Sequence, residues 1–231
     1  MPPRHIGIVA CSAEGAALCY RTICAEGAAL LGPHVHPEIS MHTPSLADYV
    51  RAIEHDDWPA VGELMLGSAR KLAGAGAQFL ICPDNTIHQA MAYVVPRSPL
   101  PWLHIAEVAA GAAVTRGFRR IGITGTKWLV DSDVYPEKLA ARGLQAVRPS
   151  PAEREACNRI IMDELVNGVL DASSTHYFQQ VISRLKDQGC DAVVLGCTEI
   201  PLVIDDRNSP LPTLDSTRLL ARAALRRAVE T

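Results

Sequence analysis

Two apolar stretches that recur at one spacing constrain this chain more than any other feature. His5-Ile6-Gly7-Ile8-Val9-Ala10 is short, rich in β-branched residues and followed by the polar Cys11-Ser12. That is the pattern of a buried parallel strand running into a loop. Arg120-Ile121-Gly122-Ile123-Thr124-Gly125-Thr126 reads the same way, with Gly122 standing 115 residues after Gly7. A second pair accompanies the first. Phe79-Leu80-Ile81-Cys82-Pro83-Asp84-Asn85-Thr86 and Ala192-Val193-Val194-Leu195-Gly196-Cys197-Thr198-Glu199 are apolar runs with polar tips, and Cys197 follows Asp84 by 113 residues. Two features repeating at nearly one offset imply an ancestral duplication into two α/β halves of similar size.

The connecting segments agree. Residues 60–77 set Val61, Leu64, Met65, Ala69 and Leu72 at helical spacing, and Gly74-Ala75-Gly76 leads into a strand over 78–82. Residues 177–188 set Val181, Ile182 and Leu185 similarly, and Gly189 closes that helix before the next strand. Helix into strand, twice, is the βαβ pattern of parallel sheets with helices on both faces. The expected fold is therefore α/β, with two pseudo-symmetric halves, each a parallel sheet flanked by helices, and a ligand groove between them. Proline-rich stretches at 96–101 and 208–212 suggest an N-terminal half over 1–98 and a C-terminal half over 99–210. The remaining 211–231 would carry a helix from Ser216 to Val229 that packs back on the N-terminal half.

Composition narrows the function classes. The chain has 231 residues, 48% hydrophobic and 20% charged, enough apolar matter to build a core and too much for intrinsic disorder. Lys plus Arg number 22 against 25 Asp plus Glu, a net charge of -3. That lacks the basic excess that nucleic acid or an anionic membrane surface would select. No apolar run reaches the ~18–20 residues of a membrane span. Residues 1–8 do not read as a secretion signal, so a cytoplasmic location is expected. Seven cysteines, an odd number in that setting, are expected to be reduced thiols rather than a disulfide framework.

In open parallel sheets ligands bind beyond the carboxyl ends of strands. Four such ends carry Ser12, Asp84-Asn85-Thr86, Thr126 and Cys197-Thr198. A pseudo-twofold would set Asp84 opposite Cys197, the geometry for taking a proton from one face of a carbon and returning one to the other. The surrounding hydroxyl and amide groups, with backbone N–H groups at the following helix starts, suit a carboxylate. Each residue also has a plainer reading. Asp84 can cap the helix after it, which does not exclude a catalytic role. Cys82 shares a strand face with Asp84, but Pro83 and the register favour the core for it. Asn85, Thr86, Thr198 and Ser12 can be turn residues, although their recurrence favours ligand contact. His88 reads as a structural hydrogen-bonder. Cys11, Cys19, Cys24, Cys157 and Cys190 lack metal-type spacing and are assigned to packing. His34, His36 and His42 fit the polar face of one short strand as well as a metal site, and no metal is expected.

Gly196-Cys197-Thr198-Glu199-Ile200 and Asn85-Thr86-Ile87-His88 resemble the paired signatures of the aspartate/glutamate racemase superfamily, which includes hydantoin racemases, maleate isomerases and arylmalonate decarboxylases. Ser12 and Glu14 match the family's first loop, and Asp215-Ser216 its terminal turn. The resemblance runs through nearly the whole chain in the right order. It implies a cofactor-independent enzyme, a dimer, acting on a small carboxylate or amino acid, with two residues, usually cysteines, flanking the substrate α-carbon. By motif the second is Cys197 and the first falls on Asp84. A carboxylate near pKa ~3.9 is a weaker base than a thiolate near ~8.5 unless burial raises it, so the two faces would be unequal.

Two further departures concern the substrate. Ser40-Met41-His42-Thr43-Pro44-Ser45 lacks the Arg that aspartate racemases often carry there, and the Lys position of the second half falls on Asn167. A histidine often found in the last helix is matched by Leu220. Lys127 is a substitute anion partner. The leading expectation is an aspartate or glutamate racemase, or one for a related amino acid. Cys197 and Asp84 would be its bases, and Ser12, Asn85, Thr86, Thr126, Lys127 and Thr198 its substrate-binding groups. The alternatives are a single-cysteine maleate isomerase or arylmalonate decarboxylase-like enzyme, and a catalytically silent amino-acid binder.

Overall fold

The computed structural model describes residues 2–230; Met1 and Thr231, the outer limits of the first and last sequence segments, lie outside the described residues. Eight strands, β1 (Ile6–Val9), β2 (Ile39–His42), β3 (Phe79–Ile81), β4 (Trp102–Leu103), β5 (Arg120–Thr124), β6 (Gln145–Val147), β7 (Ala192–Leu195) and β8 (Thr213–Asp215), form two four-stranded sheets. Their orders are β2-β1-β3-β4 and β6-β5-β7-β8, every pairing parallel. Advancing each label of the first sheet by four reproduces the second, so the repeat in the sequence is a repeat of topology.

Among the described residues ten α-helices connect and flank the strands: α1 (Ala13–Leu31), α2 (Leu46–Glu54), α3 (Trp58–Gly74), α4 (Met91–Val94), α5 (Ile105–Thr115), α6 (Lys127–Asp131), α7 (Val134–Ala140), α8 (Pro151–Arg159), α9 (Ala172–Asp187) and α10 (Ser216–Val229). The chain divides into two compact units, Met1–Ile105 with Thr217–Thr231, and Ala106–Ser216. These limits fall a few residues beyond the two proline-rich stretches, because β4 and β8, which follow those stretches, each still belong to the sheet before the break.

The central strands are apolar because both faces are covered: Ile6, Ile8, Leu80 and Ile81 in the first unit and Ile121, Val193 and Val194 in the second are buried. The glycines that opened the repeat sit where a helix meets its sheet. A methyl group at Gly7 would lie 3.3 Å from Leu72 Cβ of α3, and one at Gly122 would lie 2.9 Å from Leu185 Cδ1 of α9. Helix α3 starts two residues earlier than its apolar spacing indicates, because the Asp57 carboxylate caps it through Ala60 N–H at 3.0 Å. Helix α9 starts at Ala172 under an Asp171 cap, and Gly189, at φ 86°, follows its end. Helix α10 coincides with the residues read from the sequence. In the first unit, Arg222 of α10 forks onto the Glu26 carboxylate, and Arg4 N–H donates to Ala228 O at 2.8 Å.

One sequence reading is corrected. His34 and His36 do not share a strand with His42, since β2 begins only at Ile39 and His34 occupies a turn at φ 66°. Among the described residues no group of three or more His, Cys, Asp or Glu side chains is arranged to hold a metal ion, and no helix is long and apolar enough to cross a membrane.

Candidate active site

In the first unit the register Ile8↔Ile81 brings the carboxyl ends of β1 and β3 side by side. Ser12 ends the β1 loop as the N-cap of α1, its Oγ accepting from Gly15 N–H at 3.3 Å. Asp84 is half-buried, and its Oδ1 accepts from Ile87 N–H at 3.2 Å. It therefore satisfies a backbone amide in the first turn of the 3-10 segment Thr86–Ala90, whose N-cap position is Asn85, as well as standing at the strand tip. Asn85 and Thr86 are buried beside it.

The backbone of Asp84 is held by His88, which is 3% exposed. Ile105 N–H can only donate, and it reaches His88 Nε2 at 3.4 Å, so the ring proton sits on Nδ1 and is donated to Asp84 O at 2.7 Å. The imidazole thus pins the β3 tip to the start of α5, with the His104 ring edge-on at 4.7 Å between centroids. Below the tip, burial and then the neighbouring Cys82, Cys11 and Asp84 push the Tyr49 phenol well above its ordinary range.

In the second unit the register Thr124↔Leu195 does the same for β5 and β7. Thr126 caps α6 through Leu129 N–H at 3.3 Å, the role that Ser12 plays 114 residues earlier. The β7 tip is tied on both sides. Gly196 N–H donates to Thr124 O at 2.9 Å, and Ser216 Oγ donates to Leu195 O at 2.8 Å. Next comes Cys197, half-buried, whose Sγ donates to Glu199 Oε2 at 2.9 Å. Thr198 Oγ1 donates to the same oxygen at 2.7 Å, and Glu199 is 2% exposed.

The remaining thiols differ from Cys197 in surroundings. Burial raises Cys82 well above the usual thiol range, with the Asp84 charge adding to it, and its Sγ points to Asp84 O at 3.7 Å. Burial also pushes Cys157 up to about 12 and raises Cys190. Cys11 and Cys19 are buried, and Cys24 lies along α1 away from any strand end. Cys82 is thus a core thiol kept protonated.

Each sheet therefore gathers its own share of the residues singled out from the sequence: Ser12, Asp84, Asn85 and Thr86 in one unit, Thr126, Lys127, Cys197 and Thr198 in the other. The Lys127 ammonium faces the Glu155 carboxylate at 3.4 Å, and its backbone N–H donates to Asn158 Oδ1 at 3.1 Å. Asn167 is exposed and turns its amide onto the Met162 and Asp163 carbonyls, and Leu220 is buried. Sequence reasoning passed over two groups. Glu199 was visible only as a letter of the Gly-Cys-Thr-Glu motif, and the Ile105 partner of His88 lies 17 residues away with no pattern to announce it.

Comparison with known proteins bears on the family and the fold. The family model described as Asp/Glu/Hydantoin racemase matches residues 6–224. The chain is 25% identical over 186 residues to the broad specificity amino-acid racemase RacX of Bacillus subtilis strain 168, covering 80% of this chain and 78% of that protein. A glutamate racemase of Koribacter versatilis is 27% identical over 150 residues, 62% of this chain and 49% of its own length. Among solved structures, an aspartate racemase homologue from Pyrococcus horikoshii OT3 superposes with a TM-score of 0.84 at 26% identity, covering 98% of this chain and 100% of that one. A family model spanning both sheets, relatives that are racemases and a matching fold lead to one conclusion: the chain belongs to the Asp/Glu/hydantoin racemase family and is an enzyme of the racemase class.

Proposed function

We propose that the protein racemises aspartate, glutamate or a related amino acid without a cofactor, with Cys197 and Asp84 serving the two faces of the α-carbon. The observation that carries this reading is the half-buried thiol of Cys197 at the carboxyl end of β7, hydrogen-bonded to a carboxylate, while five of the other six thiols are buried and the sixth, Cys24, lies within α1. An α-proton is only weakly acidic, so its removal needs a base in contact with Cα and donors aimed at the enolate oxygens that develop. Thiol and carboxyl at two strand tips supply the first. Ser12, Asn85, Thr86, Thr126 and Thr198, with the backbone N–H groups at the adjacent helix starts, supply the second, and Lys127 adds a cation. In one direction Asp84 takes the proton from Cα and Cys197 delivers one to the opposite face; in the other direction the roles exchange.

Incubating L- and D-amino acids with the protein in deuterated water tests this. Deuterium should enter Cα of aspartate, glutamate or a related amino acid, and Cys197→Ala should abolish that exchange. Asp84→Cys should retain or raise racemisation, since it restores a thiol at the first position. If no amino acid exchanges its α-proton, the reading is wrong. One observation favours a second reading: the thiol nearest Asp84 is Cys82, kept protonated in the core, so Cys197 is the one thiol among the residues assigned to the site. A single thiol suits cis–trans isomerisation of a diacid or decarboxylation of a malonate, and turnover of maleate or substituted malonates in place of α-proton exchange would select it.

A further inference from the structure

Lys127 opens α6 directly after Thr126, beyond the carboxyl end of β5, and its backbone N–H has no partner inside the helix. The Asn158 side chain supplies one. Its Oδ1 accepts Lys127 N–H at 3.1 Å, and because an N–H can only donate, this contact fixes which end of the amide is oxygen. Asn158 stands in the last turn of α8 and is 8% exposed. Two of its neighbours on α8 grip the same short helix. Glu155 faces the Lys127 ammonium at 3.4 Å, and Arg154 pairs with Asp131 at the far end of α6. The Asn158 amide is thus held in one orientation beside the Thr126-Lys127 peptide.

The other end of that amide is unspent. Nδ2 carries two N–H donors and gives neither to any described residue. Unlike the sealed Nε of Arg148, it keeps contact with solvent. Donors on a side chain more than nine-tenths buried call for a partner, so one from outside the chain must take them. The residue type also favours a donor here. If holding Lys127 N–H were the whole task, aspartate would serve better, since its oxygens accept equally well and its charge suits the N–H groups of a helix start. A carboxylate there would repel a bound carboxylate, whereas an amide attracts it.

We infer that Asn158 is a further substrate-contacting residue, its Nδ2 donating to an oxygen of the substrate α-carboxylate beside Thr126. This rests on the racemase reading above. As the α-proton leaves, negative charge moves onto that carboxylate, and a donor already fixed in place strengthens its bond without reorganising. A side-chain carboxylate stays a full anion throughout and draws no such gain. Lys127 is already engaged by Glu155, so the donor at this strand end is a neutral one.

Alpha-proton exchange in deuterated water, run on amino acids with acidic and with neutral side chains, tests this in two variants. Asn158→Asp keeps the acceptor for Lys127 N–H, so its melting temperature should stay within about 2 °C of the wild type. Its exchange rate should nevertheless fall by about 100-fold or more for every amino acid the wild type processes. Asn158→Ala loses acceptor and donor together. It should melt roughly 2–4 °C lower, yet lose no more activity than Asn158→Asp, because it adds no repulsion. A structural role alone predicts the reverse order, with Asn158→Asp rescuing what Asn158→Ala loses, and that result overturns the inference. A loss confined to amino acids with acidic side chains also overturns it, as does an Asn158→Asp protein less stable than Asn158→Ala. Unchanged exchange in Asn158→Asp removes this role and leaves the racemase reading intact, whereas no exchange by the wild type discards both.

Discussion

Adding one methyl group at two glycines of this protein should move stability in opposite directions. At Gly196 a Cβ would lie 2.5 Å from Thr124 O and 2.6 Å from Leu129 Cδ2. Ordinary contact begins near 3.4 Å, so the first distance is short by about 0.9 Å. The Leu129 end can rotate away. The Thr124 carbonyl cannot, because it accepts Gly196 N–H at 2.9 Å and belongs to the β5–β7 ladder. Overpacking against a fixed backbone atom costs about 2–3 kcal/mol. At ~2–4 °C per kcal/mol for a chain of this size, Gly196→Ala should lower the melting temperature by roughly 4–12 °C. Gly67, inside α3, has nothing within 4 Å of its would-be Cβ. There alanine removes the entropic handicap of glycine in a helix, about 0.8–1.0 kcal/mol, and should raise the melting temperature by roughly 2–4 °C. Calorimetry or thermal circular dichroism on the two single variants reads both shifts. A Gly196→Ala protein that melts with or above the wild type would refute the claim that the β7 tip has no room. Parallel shifts in the two variants would refute the spatial argument as a whole.

Two other predictions concern histidines of the first unit. His88→Leu leaves the buried Asp84 carbonyl and Ile105 N–H without the imidazole between them, and each such loss costs about 1–3 kcal/mol. Urea unfolding should show a decrease within that range or above it, and an unchanged midpoint would count against the imidazole as a tie. For His42, burial and then the Lys71 ammonium, whose Nζ donates to Nε2 at 2.9 Å, hold the ring below its usual value. The sign follows from linkage: the unfolded chain takes up the proton first as pH falls through ~6.5, so the folded state loses stability there until His42 is itself protonated. His42→Gln lacks this loss, and the melting temperature of the wild type minus that of the variant should become more negative below that pH. A difference that stays constant with pH would show that His42 does not titrate differently on folding.

The parts of this molecule that were legible in sequence are those where one local pattern decides the outcome. β1, β3, β5 and β7 are covered on both faces, so their apolar runs are uninterrupted and easily seen. The outer strands are harder to read: β4 has only two residues, and β6 and β8 have three each, which leaves no room for a period to show. Helix α1 buries small residues such as Gly15, Ala16, Cys19 and Gly27, so the usual stripe of large apolar side chains is missing and the sequence reading did not assign it. Within the candidate site the motif residues were legible, because glycine, cysteine and hydroxyl residues cluster directly after the strands. The bonding among them was not. Ser12 and Thr126 turn out to share one capping role, and the contact between Glu199 and Cys197 depends on how the chain turns after Gly196, which no spacing rule encodes.

The return of α10 to the first unit has a consequence for how each unit depends on the continuity of the polypeptide. Residues 217–231 complete that unit, with Arg222 on Glu26 and the Arg4 N–H on Ala228 O, whereas 106–216 form the second unit without interruption. Only the second unit is therefore a single stretch of chain, whereas the first needs two segments that are far apart in sequence. A fragment that stops at residue 216 would lack the segment through which Arg222 meets Glu26, so the first unit would lose that contact while the second kept all four of its strands.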